Sequence, residues 1–201
     1  MIMSTLKSLR WTDFFMFALL DPRALYRQIS RNDPKPFALS FLVIAMIAII
    51  EIITFSLLGE ETSFFYFKIT YGWIFVFLYL SLKIVIIASL MDLSGQFLGF
   101  KGKVRELISL LNFSMFPQVF LLPLVYIFKV FHFAPIFFYF FCSFALFIWS
   151  AVIAIQGISE MHSTGSGKAF LVFVFPYVFV WAILFFMLML LITGFVGFLT
   201  G

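Results

Sequence analysis

Charge is what this sequence has least of: 11% of its residues are Asp, Glu, Lys or Arg, against about 25% in an ordinary soluble domain. A water-soluble core is thereby excluded, because 64% hydrophobic content and 33 Phe cannot be screened from water by so few polar side chains. Hydrocarbon has to be the solvent. Cysteine is nearly absent as well, and the single Cys142, set in a Phe-rich run, rules out an intrachain disulfide and a thiolate metal cluster. The two histidines, His132 and His162, fall on opposite sides of the membrane in the topology below, so no zinc site or shared catalytic pair is expected. No low-complexity linker, 20-to-50-residue repeat or second soluble domain is visible in the pattern.

What is present is a set of long apolar runs. A helix needs about 20 mainly apolar residues to cross roughly 30 Å of hydrocarbon, and stretches 37–58, 69–91, 107–128, 133–157 and 169–193 satisfy this. Although rich in Phe, Ile and Val, they must be helical, since an open strand edge in lipid leaves backbone groups unpaired. The fold class expected is all-α: a bundle of about five transmembrane helices at 37–201, preceded by a segment at 1–36.

Two runs carry an ionisable residue, Glu51 and Lys83. The first has fourteen Leu, Ile, Phe and Val residues, contributing roughly −4 to −8 kcal/mol against about +3 for Glu51; the second has thirteen against Lys83. Both should insert. Orientation follows the basic residues: ten Lys and Arg lie in the N-terminal segment and in the second and fourth connections, and two, Lys68 and Lys129, lie in the others. The N-terminus is expected in the cytoplasm and the C-terminus on the far side of a cytoplasmic, inner-type membrane. The stretch between Pro117 and Pro123 is the weakest part of the five-span count.

The run 14–20 is short, ends at Asp21-Pro22 and lacks a small-x-small cleavage site, so a removable signal peptide is disfavoured. An interfacial helix fits better than a solvated tail. In it Trp11, Phe14, Phe15, Leu25, Tyr26 and Ile29 dip into the headgroup layer, and Arg23, Arg27 and Arg31 attract anionic lipid.

Glu51, Lys83, Asn112 and Gln118 are the candidate intramembrane polar site. In an antiparallel hairpin Lys83 lies about 10 Å deeper than Glu51, so direct pairing is not favoured. Other roles for them are snorkelling of Lys83 toward Asp92, protonation of Glu51 against Asn112 or Gln118, and packing through Asn112, Ser114 and Gln118. Pro117, Pro123, Pro135 and Pro176 are candidate kinks, while the spacings Gly95 to Gly99 and Gly197 to Gly201 mark close helix approach or turns.

Enzyme patterns fail on inspection. Gly165-Ser166-Gly167-Lys168 is similar to the end of a phosphate-binding loop, but His162 stands where the first glycine belongs and Ala169 follows the lysine. It reads as a turn with Ser166 capping the fifth helix. Glu60-Glu61 lacks the arginine four residues on that a paired-glutamate protease would need; Phe65 is there. No catalytic residue, cofactor site or metal site is expected.

Three segments together resemble the Yip-one domain family, five-span membrane proteins named for interaction with Ypt/Rab GTPases and found also in bacteria. LLDPRALYRQISRNDPKPFALSFLVI is similar to the family's Pro-containing lead into the first span. LGFKGKVRELISLLNFSMFPQVFLLP resembles its Gly-rich basic connection and Pro-containing span, at Gly99, Gly102, Phe113, Ser114 and Pro117. IWSAVIAIQGISEMHSTGSGKAFLVFVFPYV resembles its Trp-led fourth span, Gly-containing turn and Lys-Ala start of the fifth, at Trp149, Gly157, Lys168 and Ala169. About 36 residues precede the first span, fewer than in eukaryotic trafficking members, so the resemblance implies a membrane fold of the bacterial type without implying Rab binding.

The functional expectation is a non-enzymatic scaffold or partner subunit. Its surface of contact with anionic lipid or other membrane proteins would be Arg23, Arg27, Arg31, Lys101, Lys103 and Arg105. Nucleic acid is not expected, because the basic residues sit in short clusters between apolar runs. The alternative from another class is a small-solute or ion transporter built around Glu51 and Lys83.

Overall fold

The computed structural model describes residues 11–30, 35–59 and 71–200, and among these there is no strand. Arg31, Glu60, Glu61, Phe65, Lys68 and Gly201 lie outside the described residues. Among the described residues two short helices come first, α1 (Trp11–Leu20) and α2 (Pro22–Ile29). The spans follow: α3 (Lys35–Leu58), α4 (Trp73–Phe97), a third span divided into α5 (Val104–Ser114) and α6 (Leu121–Val130), then α7 (Pro135–Met161) and α8 (Ser166–Thr200). Among the described residues five segments are thus long and apolar enough to cross a bilayer, as the run lengths require.

Local chemistry sets the boundaries. Asp21 accepts the Ala24 amide at 3.1 Å with Pro22 in the first turn, so α2 starts with a side-chain cap and a ring already fixed at helical φ. The α4 helix ends where Gly99 adopts φ +85° and the Phe100 amide turns back to the Gly95 carbonyl at 3.0 Å. Gly95 and Gly99 therefore mark a helix end. At the start of α8 the Ala169 amide bonds the Gly165 carbonyl at 3.2 Å, so Gly165 holds the position expected for Ser166, which is already inside the helix.

Pro117 sits in a 3-10 turn, Phe116–Phe120, that splits the third span. A proline lacks the amide that an α-helix needs there, and the tighter turn accommodates the gap. This divided span is the centre of the molecule: every residue from Leu107 to Ser114 is buried. Of its most apolar stretch 56% is buried within the protein, against 0% for the fifth span, which leaves α8 to lipid. Around α5 pack α3, α4 and α7, while α8 lies against α4 and α7.

Two further expectations need correction. Leu25, Tyr26 and Ile29 are not immersed in headgroups; at 0%, 6% and 6% exposure they are core residues, because α2 docks on α5 and α7. Apolar faces of α2 and of the bundle end cover each other, which removes both from contact with the polar interface. Gly157 is not in a turn either, since α7 continues to Met161 and Gly157 is one of its buried contact positions.

Candidate functional site

The most developed polar arrangement lies on the basic face, where α2, the turn 98–103, α5 and the end of α7 converge. Its hub is Asp92, 6% exposed at the end of α4. One carboxylate oxygen accepts the backbone amide of Lys103 at 2.6 Å and the other accepts Gln96 Nε2 at 2.7 Å. The turn is thereby held against α4 just where α5 begins. Gly102 allows this closure: a Cβ there would stand 3.0 Å from Asp92 Oδ2 and 2.9 Å from Gln96 Nε2.

Lys103 then reaches the N-terminal helices. Its ammonium donates to the Tyr26 hydroxyl at 2.9 Å, and that hydroxyl donates to Glu106 Oε2 at 2.6 Å. Lys103 Nζ also lies 3.7 Å from Glu106. On the neighbouring side Arg27 Nε pairs with Glu160 Oε1 at 3.5 Å, an exposed contact worth no more than about 1 kcal/mol. His162 stacks on Phe100 with ring centroids 4.5 Å apart, and its Nε2 is buried with no hydrogen-bond partner.

These surroundings shift two titrations in opposite directions. The Tyr26 hydroxyl is pushed well above its usual value, first by burial and then by its hydrogen bond to Glu106. His162 is lowered, first by burial and then by the Lys103 charge, with Asp92 and Glu106 opposing. For Tyr26 the folded state keeps a proton that the unfolded chain gives up, so stability is intact below pH about 10 and is lost above it. For His162 the unfolded chain binds the proton more readily, so stability is intact above about pH 6.5 and falls as acid is added. The thermal midpoint in detergent should therefore peak between about pH 7 and 10. Tyr26→Phe should flatten the alkaline limb; an alkaline limb unchanged in that variant would disprove the assignment.

The sequence-derived residues divide among three places. Arg27 and Lys103 are engaged in the network above, whereas Arg23, Lys101 and Arg105 are exposed, with the Arg105 guanidinium 5.2 Å from the centre of the Phe37 ring. Asn112 is fully buried and donates to Ser40 Oγ at 2.9 Å, joining α5 to α3. Lys83 and Gln118 line one cavity between α4, the third span, α7 and α8; neither Glu51 nor Asn112 lines it. Glu51 feels the Lys83 charge through space. Asp92 accepts Lys103 and Gln96, and no ion pair or hydrogen bond among the described residues joins it to Lys83.

Sequence reading missed the acidic half of the basic face: Asp92, Glu106 and Glu160, together with Tyr26 and His162. Two local spacings pointed to it, Asp92 four residues before Gln96 and Lys103 three before Glu106, both suited to contact along a helical register. Nothing local shows that Tyr26 joins them from 77 residues away.

Fold and site together define a polytopic helical membrane protein whose N-terminal helices are fastened by a polar network to one end of the bundle. The family model described as Yip1 domain matches residues 17–199, and the chain belongs to that family. The match takes in both α2 and all five spans. Neither the curated proteins nor the solved structures compared with the chain include a match.

Proposed function

We propose that this protein is a non-enzymatic scaffold or partner subunit of a cytoplasmic membrane, engaging membrane proteins through its basic face, which lies on the cytoplasmic side. One observation carries the reading. The network uses the charges of Arg27 and Lys103 to pin α2 in place, and leaves Arg23, Lys101 and Arg105 exposed on a surface that is folded. Exposed cations held at one end of a bundle attract anionic lipid and acidic protein segments, at about 1 kcal/mol per residue near a charged membrane surface. Family membership supports a membrane protein of the Yip type, and the polar groups of this face are spent on one another in structural bonds.

The triple exchange Arg23→Gln, Lys101→Gln, Arg105→Gln spares every bond of the network. After cross-linking in native membranes and purification in mild detergent, it should lower recovery of co-purifying subunits several-fold while the thermal midpoint stays unchanged. Full recovery of every partner would remove this reading.

A further inference from the structure

A second polar site lies inside the membrane span, away from the basic face. The cavity shared by Lys83, Gln118 and Ser150 has a volume of about 100 Å³, and its other walls are mostly apolar. Lys83 and Tyr177 also border a wider groove of about 350 Å³ between α4 and α8, beside Pro176. That groove is walled by Leu82, Ile86, Val180 and Trp181, all exposed, with Trp181 at 73%. One lysine and one tyrosine thus stand where a small, mostly apolar chamber with a few polar groups meets an apolar groove open to lipid.

The position is deep. Lys83 follows Trp73 by ten residues and precedes Phe97 by fourteen, which places it about 15 Å and about 21 Å from the two ends of α4. No described residue forms an ion pair with its ammonium; Glu51, on α3, acts on it only through space and borders neither cavity. The Ser150 hydroxyl, in a residue 7% exposed, is buried against the same chamber without a hydrogen-bond partner. An unpaired cation and an unsatisfied hydroxyl in hydrocarbon are both costly, and one small anion with acceptor oxygens satisfies both.

We propose that this is a binding site for a single-chain amphiphile with a carboxylate head, of the fatty-acid class, entering sideways from the bilayer. The carboxylate sits in the chamber against Lys83 and Ser150, and the chain lies along the groove between α4 and α8. Size and depth select this head. At roughly 30 Å³ per water the chamber holds only a few waters, room for a carboxylate, while phosphodiester headgroups with their glycerol are larger and belong at the interface. The site is independent of the partner surface on the basic face.

The test uses the full chain in phosphatidylcholine nanodiscs with palmitic acid carrying a diazirine at the chain end, photolysed and mapped by peptide mass spectrometry. Saturable labelling is expected on the α4 and α8 walls of the groove, competed by palmitic acid and not by the matching alcohol. Lys83→Met should reduce it at least tenfold, Lys83→Arg should retain it, and Ser150→Leu, which fills the chamber without altering charge, should abolish it. Labelling equal in Lys83→Met and the unaltered protein, or equal competition by the alcohol, would reduce the groove to ordinary lipid contact. Stronger competition by a lysophosphatidic acid than by palmitate would overturn the carboxylate assignment.

Discussion

Gly157→Leu should leave almost no monodisperse protein after detergent extraction. At this position α7 meets α5 so closely that a single added Cβ would stand 2.4 Å from Leu110 Cδ1, 2.7 Å from Cδ2 and 3.0 Å from Cγ. Leu110 is 0% exposed, so its side chain has no open space in which to turn aside. Alanine forces a small displacement costing about 1–3 kcal/mol, offset by about 1 kcal/mol of helix propensity. Leucine adds three further carbons where none fit, and α7 has to move away from the buried centre of the bundle. Small residues at helix contacts in lipid act by permitting such approach, because dispersion replaces the hydrophobic effect as the packing force. The pairing is tested by a double-mutant cycle: the stability lost in Gly157→Ala with Leu110→Ala should be smaller than the sum of the two single losses, because the shortened Leu110 no longer meets the added Cβ. Wild-type yield and thermal midpoint in Gly157→Leu would show that the two helices are not in contact here.

Glu106→Leu should undock the N-terminal helices. This carboxylate is the acceptor for Tyr26 and the counter-ion of Lys103, whose side chains are about one third exposed, at 29% for Glu106 and 33% for Lys103. Its removal leaves a mostly buried tyrosine hydroxyl and a half-buried ammonium without their partner, at a cost of about 1–3 kcal/mol. The loss is concentrated in α2, because Asp92 still holds the turn 98–103 and the spans keep their own contacts. Amide exchange in residues 22–30 should accelerate at least tenfold while α5 and α7 remain protected. Equal protection of α2 in both proteins would mean that Leu25 and Ile29 suffice to hold it.

Much of the fold was legible because it depends on sums over short windows. Run length and mean hydropathy decide insertion, so Glu51 and Lys83 did not obscure their spans, and lipid forces the backbone into helices whatever the β-propensity of Phe, Ile and Val. The candidate sites were legible only as an inventory. Glu51, Lys83, Asn112 and Gln118 read alike as polar residues in apolar runs, yet Asn112 joins α5 to α3, while Lys83 and Gln118 face a cavity. The arginines and lysines near the membrane likewise read as one cationic surface, although two of them are neutralised by Glu160 and Glu106.

What the sequence determined alone was its solvent, its five apolar spans and the family to which they belong, since each follows from residue order and local composition. Only the tertiary structure decided that α2 is part of the core, that Gly157 is a contact point, and which charges are free. These depend on partners 47 to 133 residues apart, as with Leu110 and Gly157 or Arg27 and Glu160. A hydropathy pattern states how strongly a segment avoids water, but the choice of partner rests on close packing and hydrogen-bond geometry, which arise when distant segments meet.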